Sequence, residues 1–159
     1  MSGKKARQSL ADIVIAIRRK SGKTKAHRAI ADLVHGYALA IRRDRPEDAA
    51  VLFVENGWFE IRDGHPSRPE FTVRSRLEGR AGVLAYLAPN KGKPHPIPMI
   101  HNLMITLDGE RASASSVMEA VIIESGTRVI GEYDDHFVRE DGEWRFASRT
   151  YTIFGPPKV

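Results

Sequence analysis

The fold is decided near the end of the chain by the stretch Gly131-Glu132-Tyr133-Asp134-Asp135-His136-Phe137-Val138-Arg139-Glu140-Asp141-Gly142-Glu143-Trp144-Arg145-Phe146. Apolar and polar residues alternate on both sides of Asp141-Gly142, and Asp-Gly between alternating segments is a strong β-hairpin signal. Side chains in a strand alternate between its two faces, so Tyr133, Asp135 and Phe137 share one face. The stretch therefore predicts an antiparallel hairpin with one face turned toward the core.

Alternation extends outward from this hairpin and predicts a six-stranded sheet. The predicted strands are Trp58–Arg62, Phe71–Val73, Met99–Leu107, Arg111–Glu124, Arg128–Arg139 and Glu143–Phe154. Asp108-Gly109 and Ser125-Gly126 supply further hairpin turns. A loop with four prolines in residues 89–98 precedes the last four strands and is long enough to form a lid or a subunit contact.

The first half of the chain carries helical periodicity instead. The pattern predicts one helix over residues 10–17 that begins at Ser9 and stops at Ser21-Gly22, and a second from Thr24 to Arg43. A short helix from Pro46 through Phe53 ends at Asn56-Gly57, and another covers Gly79 to Leu87. Helices followed by a long meander predict an α+β domain whose bent sheet wraps around its helices and leaves one open end.

Charge is distributed unevenly along the chain. Residues 1–28 hold nine Lys and Arg against the single Asp12, a net charge of +8, while the remaining 131 residues carry −3. We therefore separate a basic extension, residues 1–22, from a domain over residues 23–159. Any affinity for phosphates or acidic membranes would belong to the extension, although a solvated tail or a subunit-contact helix explains the charge equally well. No stacking aromatics accompany it, so we do not expect nucleic acid as a partner.

Composition excludes several kinds of chemistry. The chain has no Cys, which removes disulfides, thiolate nucleophiles and Cys-ligated metals and favours the cytoplasm. The apolar run Leu10–Ile17 is interrupted by Asp12 and followed by basic residues, unlike a secretion signal, and no segment is long and apolar enough to span a membrane. Histidines and carboxylates show no metal-ligand spacing, and no phosphate-binding loop occurs. We expect no cofactor, no metal and no membrane partner.

Four segments in this order resemble the SnoaL-like domains of the nuclear-transport-factor-2-like superfamily. They are Ile30–Asp44 continued by Ala49–Gly57, Gly79–Leu87, His101–Ser113 and Gly131–Phe146, and the resemblance covers about residues 25–153. It implies a cystatin-like, cone-shaped α+β barrel with a strongly curved, mostly antiparallel sheet around three helices. It also implies a deep apolar pocket and a homo-oligomer, a dimer or a trimer. The family includes dehydratases, polyketide cyclases, isomerases and proteins without catalysis, so the site must decide the function.

Three residues are the predicted catalytic set. His101 stands where scytalone dehydratase and many SnoaL-like proteins carry a pocket histidine, and an imidazole can move protons near neutral pH. Asp135 would orient that imidazole and Tyr133 would donate to an oxygen that gains negative charge. The alternative is that Asp135 pairs with Arg145 or Arg149 across the hairpin.

Substrate binding is predicted for Tyr37, Arg42, Phe59, Ile61 and Phe137. Arg42 replaces an Asp that the family pattern usually carries, and a guanidinium there would bind an anionic or phenolic group. Core packing of Tyr37 and a solvated helix end at Arg42 are the alternatives. Ile61 and Ile122 fall where scytalone dehydratase has a Tyr and a second His, so the dehydratase set does not transfer as a whole.

The sequence thus predicts a cofactor-independent lyase, dehydratase or isomerase acting on a hydroxylated aromatic or polyketide-like molecule. A quinone-methide-like intermediate, with C–O or C–C cleavage, would need only proton transfers. The alternative is a noncatalytic domain that binds a small molecule or mediates oligomerisation.

Overall fold

The computed structural model describes residues 9–155, and its first element is a single long helix. Helix α1 runs over Leu10–Arg42 and begins with the predicted capping box, in which the Ser9 side chain accepts from the Asp12 backbone N–H and Asp12 reaches back to Ser9. The predicted stop at Ser21-Gly22 is wrong. Ser and Gly cost a helix only about 1 kcal/mol each or less, and the Thr24 hydroxyl donates to the Lys20 carbonyl across this point.

The remaining elements alternate between short helices and long strands. They are α2 Pro46–Ala50, β1 Phe53–His65, β2 Arg68–Glu78, α3 Gly79–Leu87, a 3-10 turn Ala88–Asn90, β3 Ile97–Asp108, β4 Arg111–Ile122, β5 Thr127–Glu140 and β6 Glu143–Phe154. The bounds of α3 and β6 are those that the sequence predicts.

Strand β1 begins earlier than its alternation indicates. Asn56-Gly57 was expected to end a helix, but both residues lie inside β1, and Phe53 pairs in register with Phe146 of β6. The Phe53 carbonyl also accepts from Arg80 at 3.0 and 2.8 Å. These long-range contacts override the local turn signal because they bury Phe53 completely.

The six strands form one sheet in the order β2-β1-β6-β5-β4-β3. All neighbours are antiparallel except β1 and β6, which are parallel. The inner face packs against the second half of α1 through Ile30, Leu33, Val34 and Tyr37. The expected α+β architecture, a curved and mostly antiparallel sheet with helices packed on one face, is confirmed.

The first half of α1 extends away from this core. Every residue from Ser9 to Lys25 is exposed, and Ile30 is the first buried one. The boundary predicted between the extension (residues 1–22) and the domain (residues 23–159) therefore lies inside helix α1. Lys4, Lys5 and Arg7 of the predicted extension lie outside the described residues. Among residues 9–155, no helix has the length and apolarity to cross a membrane.

Gly131 permits the close approach of β5 to β6 beside the core. A Cβ there would meet the Thr152 carbonyl oxygen and would lie 2.6 Å from Tyr151 Cε2 and 3.0 Å from Ile153 Cα. Two of these atoms belong to the backbone of β6 and cannot shift without moving the strand. We therefore expect Gly131→Ala to lower the free energy of unfolding by about 1–3 kcal/mol, as measured by denaturation in urea.

Gly36 provides the matched control for that substitution. It lies within α1 and a Cβ there meets nothing within 4 Å, so Gly36→Ala should hold or raise stability by up to about 1 kcal/mol. Equal effects of the two substitutions would contradict the crowding at Gly131.

Candidate functional site

A cavity of about 400 Å³ opens between the C-terminal part of α1, the inner face of the sheet and the proline-rich loop. Its walls are mostly apolar and aromatic, and they include Tyr37, Phe59, Ile61, Met118, Tyr133, Tyr151 and Ile153. The polar and charged lining residues are Asp44, Arg45, Arg74, Ser75, Asn90 and His95. A mostly apolar cavity of this size is typical of a small-molecule site.

The proline-rich loop forms one wall of the cavity. Pro94, His95 and Pro96 line it, and two contacts fasten the loop to the end of α1. The Asp44 carboxylate accepts from the Gly92 backbone N–H at 2.6 Å, and His95 Nε2 lies 3.1 Å from the Ile41 carbonyl oxygen. These two contacts hold the loop, which the sequence predicts to be a lid or a subunit contact, against the end of α1 as a wall of the cavity.

His95 is held between two acceptors. Its Nδ1 lies 2.8 Å from the Lys93 carbonyl oxygen, and its Nε2 faces the Ile41 carbonyl oxygen. A neutral imidazole carries one N–H, so it can donate to only one of these two carbonyls.

Three tyrosines contribute phenols to the cavity wall. The Tyr151 hydroxyl donates to the Met118 carbonyl at 3.3 Å. Among residues 9–155 no hydrogen bond is made by the hydroxyls of Tyr37 and Tyr133, and neither oxygen is among the fully buried atoms without a partner, so both are open to the cavity. Both side chains are almost fully buried, so a polar group inside the cavity is the partner they can still acquire.

A buried ion pair lies beneath two of these rings. Arg149 Nε donates to Asp135 Oδ1 at 2.7 Å and its Nη2 donates to Oδ2 at 2.8 Å, and both side chains are 0% exposed. The guanidinium carbon lies 3.8 Å from the centre of the Tyr133 ring and 4.5 Å from that of Tyr37. Nη1 of Arg149 is buried without a hydrogen bond among the described residues.

This environment keeps the phenols protonated. Burial raises the pKa of Tyr133 to about 12, although the charge of Arg149 acts to lower it. Burial likewise raises the pKa of Tyr37 and of Tyr151. Burial acts to lower the pKa of Arg149, but the Asp135 carboxylate outweighs it and the net pKa is raised, so the guanidinium stays charged. The cavity thus offers neutral O–H donors whose rings pack on the guanidinium of the Arg149–Asp135 ion pair.

The structure brings most of the predicted site residues together. Tyr37, Phe59, Ile61 and Tyr133 line the cavity. Asp135 lies below them and pairs with Arg149, as the alternative prediction had it. Phe137 is fully buried against Phe146, with ring centres 5.1 Å apart, and is not among the lining residues.

His101 does not lie in this cavity. Its side chain is 50% exposed and faces Glu119, with Nε2 3.8 Å from the carboxylate, so the expected pairing with Asp135 is not found. Pro98 and Ile100 of β3 point inward, so the next residue, His101, points to the outer face of the sheet. A bulge between His101 and Met104, with Asn102 at a φ of 50°, then reverses the alternation.

Arg42 is also separate from the cavity. It is exposed and lines a shallow groove with Leu39 and Met99 on the outer side of α1. The guanidinium nearest the phenols is that of Arg149. Arg42 therefore fits the alternative prediction of a solvated helix end.

Sequence reasoning missed His95 and Tyr151 as lining residues. Tyr151 follows Arg149 by two and so shares its face of β6, which is a signal that alternation does contain. His95 sits in a loop without periodicity, and its orientation depends on contacts with α1.

A curved six-stranded sheet that closes with a helix around a cavity is the fold of solved structures described as cystatin-like, one of them as nuclear-transport-factor-2-like. Residues 23–150 match the model of the SnoaL-like domain, and the chain belongs to that family. No curated protein sequence matches the chain.

Solved structures with this fold are similar at low identity. Rv3472, a protein of unknown function from Mycobacterium tuberculosis solved as a variant, has a TM-score of 0.70 at 22% identity over 84% of this chain and 74% of its own. The β subunit of a candidate aromatic-ring-hydroxylating dioxygenase from Novosphingobium aromaticivorans has 0.69 at 21%, over 86% and 94%. A candidate scytalone dehydratase from the same organism has 0.67 at 23%, over 84% and 87%. At these identities the likeness concerns the fold alone.

Proposed function

We propose that the cavity binds a hydroxylated aromatic or polycyclic small molecule and that the chain acts on it by proton transfer, as a cofactor-independent lyase or isomerase. The observation that carries the proposal is the pair of unpartnered phenols, Tyr37 and Tyr133, set in an apolar cavity above the buried Arg149. The SnoaL-like family, and a similar structure named for hydroxylating aromatic rings, accord with this ligand class.

The apolar part of the cavity lining selects for a mostly apolar ligand. Phe59, Ile61, Met118 and Ile153 present carbon surface, and burying the ligand's own carbon against them supplies the affinity. An oxygen on the ligand then finds the phenolic donors. A ligand without that oxygen leaves two buried hydroxyls unpaired, which costs about 1–3 kcal/mol for each.

Chemistry at such an oxygen requires stabilisation of negative charge. Loss of a proton from a phenol or from a carbon next to a carbonyl places charge on the ligand oxygen. Tyr37 and Tyr133 donate to it, and Arg149 stabilises it through their rings at 3.8–4.5 Å. Donors of this kind accelerate a reaction because they are oriented before charge develops.

His95 takes the place of His101 as the proposed proton donor. In a dehydration the bond from carbon to hydroxyl breaks, the leaving hydroxyl takes a proton from His95, and the ligand gives a proton back to the same ring, so the ring is restored and no oxidant or reductant is needed. His95 lines the cavity, and its ring exchanges one of its two backbone contacts for the ligand when it donates. His101 on the outer face cannot reach the same ligand without a change of structure.

Binding without turnover is the second candidate function. The observation that favours it is that the imidazole of His95 and the carboxylate of Asp44 are both already engaged by the backbone. Under this function the cavity would hold the same ligand class and release it unchanged.

The test compares hydroxylated aromatics with their deoxy analogues in buffer that contains a metal chelator. Calorimetry measures binding. The mass of the product and its uptake of deuterium from the solvent measure chemistry. We expect saturable binding of the hydroxylated compounds, and turnover that falls at least about tenfold in His95→Gln. His101→Gln is the matched control and should stay within about twofold.

The outcomes separate the two candidate functions. Saturable binding without deuterium uptake or a new mass would establish the binding function. Turnover lost in His101→Gln and kept in His95→Gln would place the chemistry on the outer face and contradict the proposal. Equal affinity for hydroxylated and deoxy ligands would contradict the role of the phenols.

A further inference from the structure

The exposed half of α1 carries a surface that the cavity does not explain. Leu10, Ile13, Val14 and Ile17, which we call the α1 stripe, recur at helical spacing and lie within an arc of about 100°. Leu10 is 81% and Ile17 62% exposed. Four large aliphatic side chains in one row on a projecting helix are an unpartnered apolar face.

The protein's own core cannot cover the α1 stripe. At about 100° per residue the stripe lies on nearly the opposite side of the helix from Ile30, Leu33 and Val34, which face the sheet. In the projecting half, the side that faces the sheet further along carries Arg19 and Lys23, with Ile15 as the large apolar residue on that side. The apolar face in the first half of α1 is thus on nearly the opposite side from the apolar face in the second half. It faces away from the core and toward the surroundings of the domain.

The charged side chains that border the stripe are positive. Arg18 and Lys25 border it on one side and Lys20 on the other, all of them exposed. Asp12 is the single acidic residue of this half within the described helix; it lies on the opposite side and is bound to Ser9 in the capping box. The surface therefore combines an apolar centre with cationic edges.

Against the expectation of no membrane partner, and because the stripe is exposed, we propose that the α1 stripe docks on an anionic lipid surface, with its aliphatic side chains among the acyl chains and Arg18, Lys20 and Lys25 at the headgroups. Charge complementarity selects this occupant. Two copies joined stripe to stripe would bring their cationic edges together, which is unfavourable. Nucleic acid would use the cations but gives four exposed aliphatic side chains no partner.

The test is co-sedimentation of the 159-residue chain with phosphatidylcholine vesicles, with and without phosphatidylglycerol. We expect binding only to the anionic vesicles, weakened by salt. Ile13→Ser/Ile17→Ser should lower the partition coefficient at least about tenfold, and Arg18→Gln/Lys20→Gln/Lys25→Gln should do the same.

Ile15→Ser is the matched control, because Ile15 is 48% exposed on the same segment but lies off the stripe. It should bind within about twofold of the unchanged chain. No binding to anionic vesicles, or binding that survives the double stripe variant, would overturn the proposal. If a stripe variant leaves vesicle binding unchanged and alters only the mass of the assembly in analytical ultracentrifugation, the surface belongs to a second copy of the chain. If the chain retains duplex DNA and not vesicles, the surface belongs to nucleic acid.

Discussion

Replacing Asp135 with alanine is expected to destabilise the fold more than any other single change to the site, by about 3–5 kcal/mol. The substitution leaves Arg149 charged, fully buried and without the two hydrogen bonds that Asp135 accepts at 2.7 and 2.8 Å. Water cannot reach the guanidinium to replace them. Denaturation in urea, with the midpoint and the slope compared with those of the unchanged chain, measures the loss.

Two variants show whether the loss comes from the unpaired charge. Asp134→Ala removes the neighbouring carboxylate, which is 65% exposed, and should change stability by less than about 0.5 kcal/mol. Asp135→Leu/Arg149→Met removes both charges and should recover a large part of the stability. If the double variant is less stable than Asp135→Ala, the pair contributes more than charge neutralisation and this account is wrong.

Replacing Tyr133 with phenylalanine is expected to have the largest effect on the proposed chemistry. The change removes one hydroxyl and keeps the ring that packs 3.8 Å from the Arg149 guanidinium. Loss of one donor to a developing oxyanion lowers the rate by about 100- to 1000-fold. Turnover of the best hydroxylated ligand, at saturation and at low ligand concentration, measures the effect.

The pH profile provides a second readout for Tyr133. Its phenol has a pKa raised to about 12, so it remains protonated and able to donate throughout the neutral and mildly alkaline range. Turnover should therefore show no loss from ionisation of this residue until the pH approaches that value. Such a loss at neutral pH would contradict a buried, neutral donor.

Tyr86→Phe is the control for Tyr133→Phe. Tyr86 also lines the cavity but is 43% exposed, at the rim. Its hydroxyl can be replaced by water, so the substitution should change turnover by less than about threefold. Equal losses in both variants would show that the inner phenols have no special role.

Local patterns predicted most of the fold because most of its elements carry a local signal; the exceptions are the uninterrupted helix α1 and the early start of β1. Alternation on both sides of Asp141-Gly142 placed the closing hairpin, and Ser9 with Asp12 placed the start of α1. The site was predicted less well. His101 was expected to face Asp135, but the inward side of β3 depends on where the strand starts and on the bulge at Asn102, and neither leaves a signature in the spacing.

The sequence by itself determined an α+β domain of the SnoaL-like family, its basic first helix, and a face of β5 that carries Tyr133 and Asp135. The family follows from the resemblance of four segments in order, and the other features follow from periodicity, turn residues and charge, which act over a few residues. Only the tertiary structure decided that Asp135 pairs with Arg149 beneath two phenols, that His95 and not His101 lines the cavity, and that the α1 stripe faces away from the core. Such contacts join residues far apart in the chain, and burial, which sets their strength, exists only after the sheet has closed on the helix.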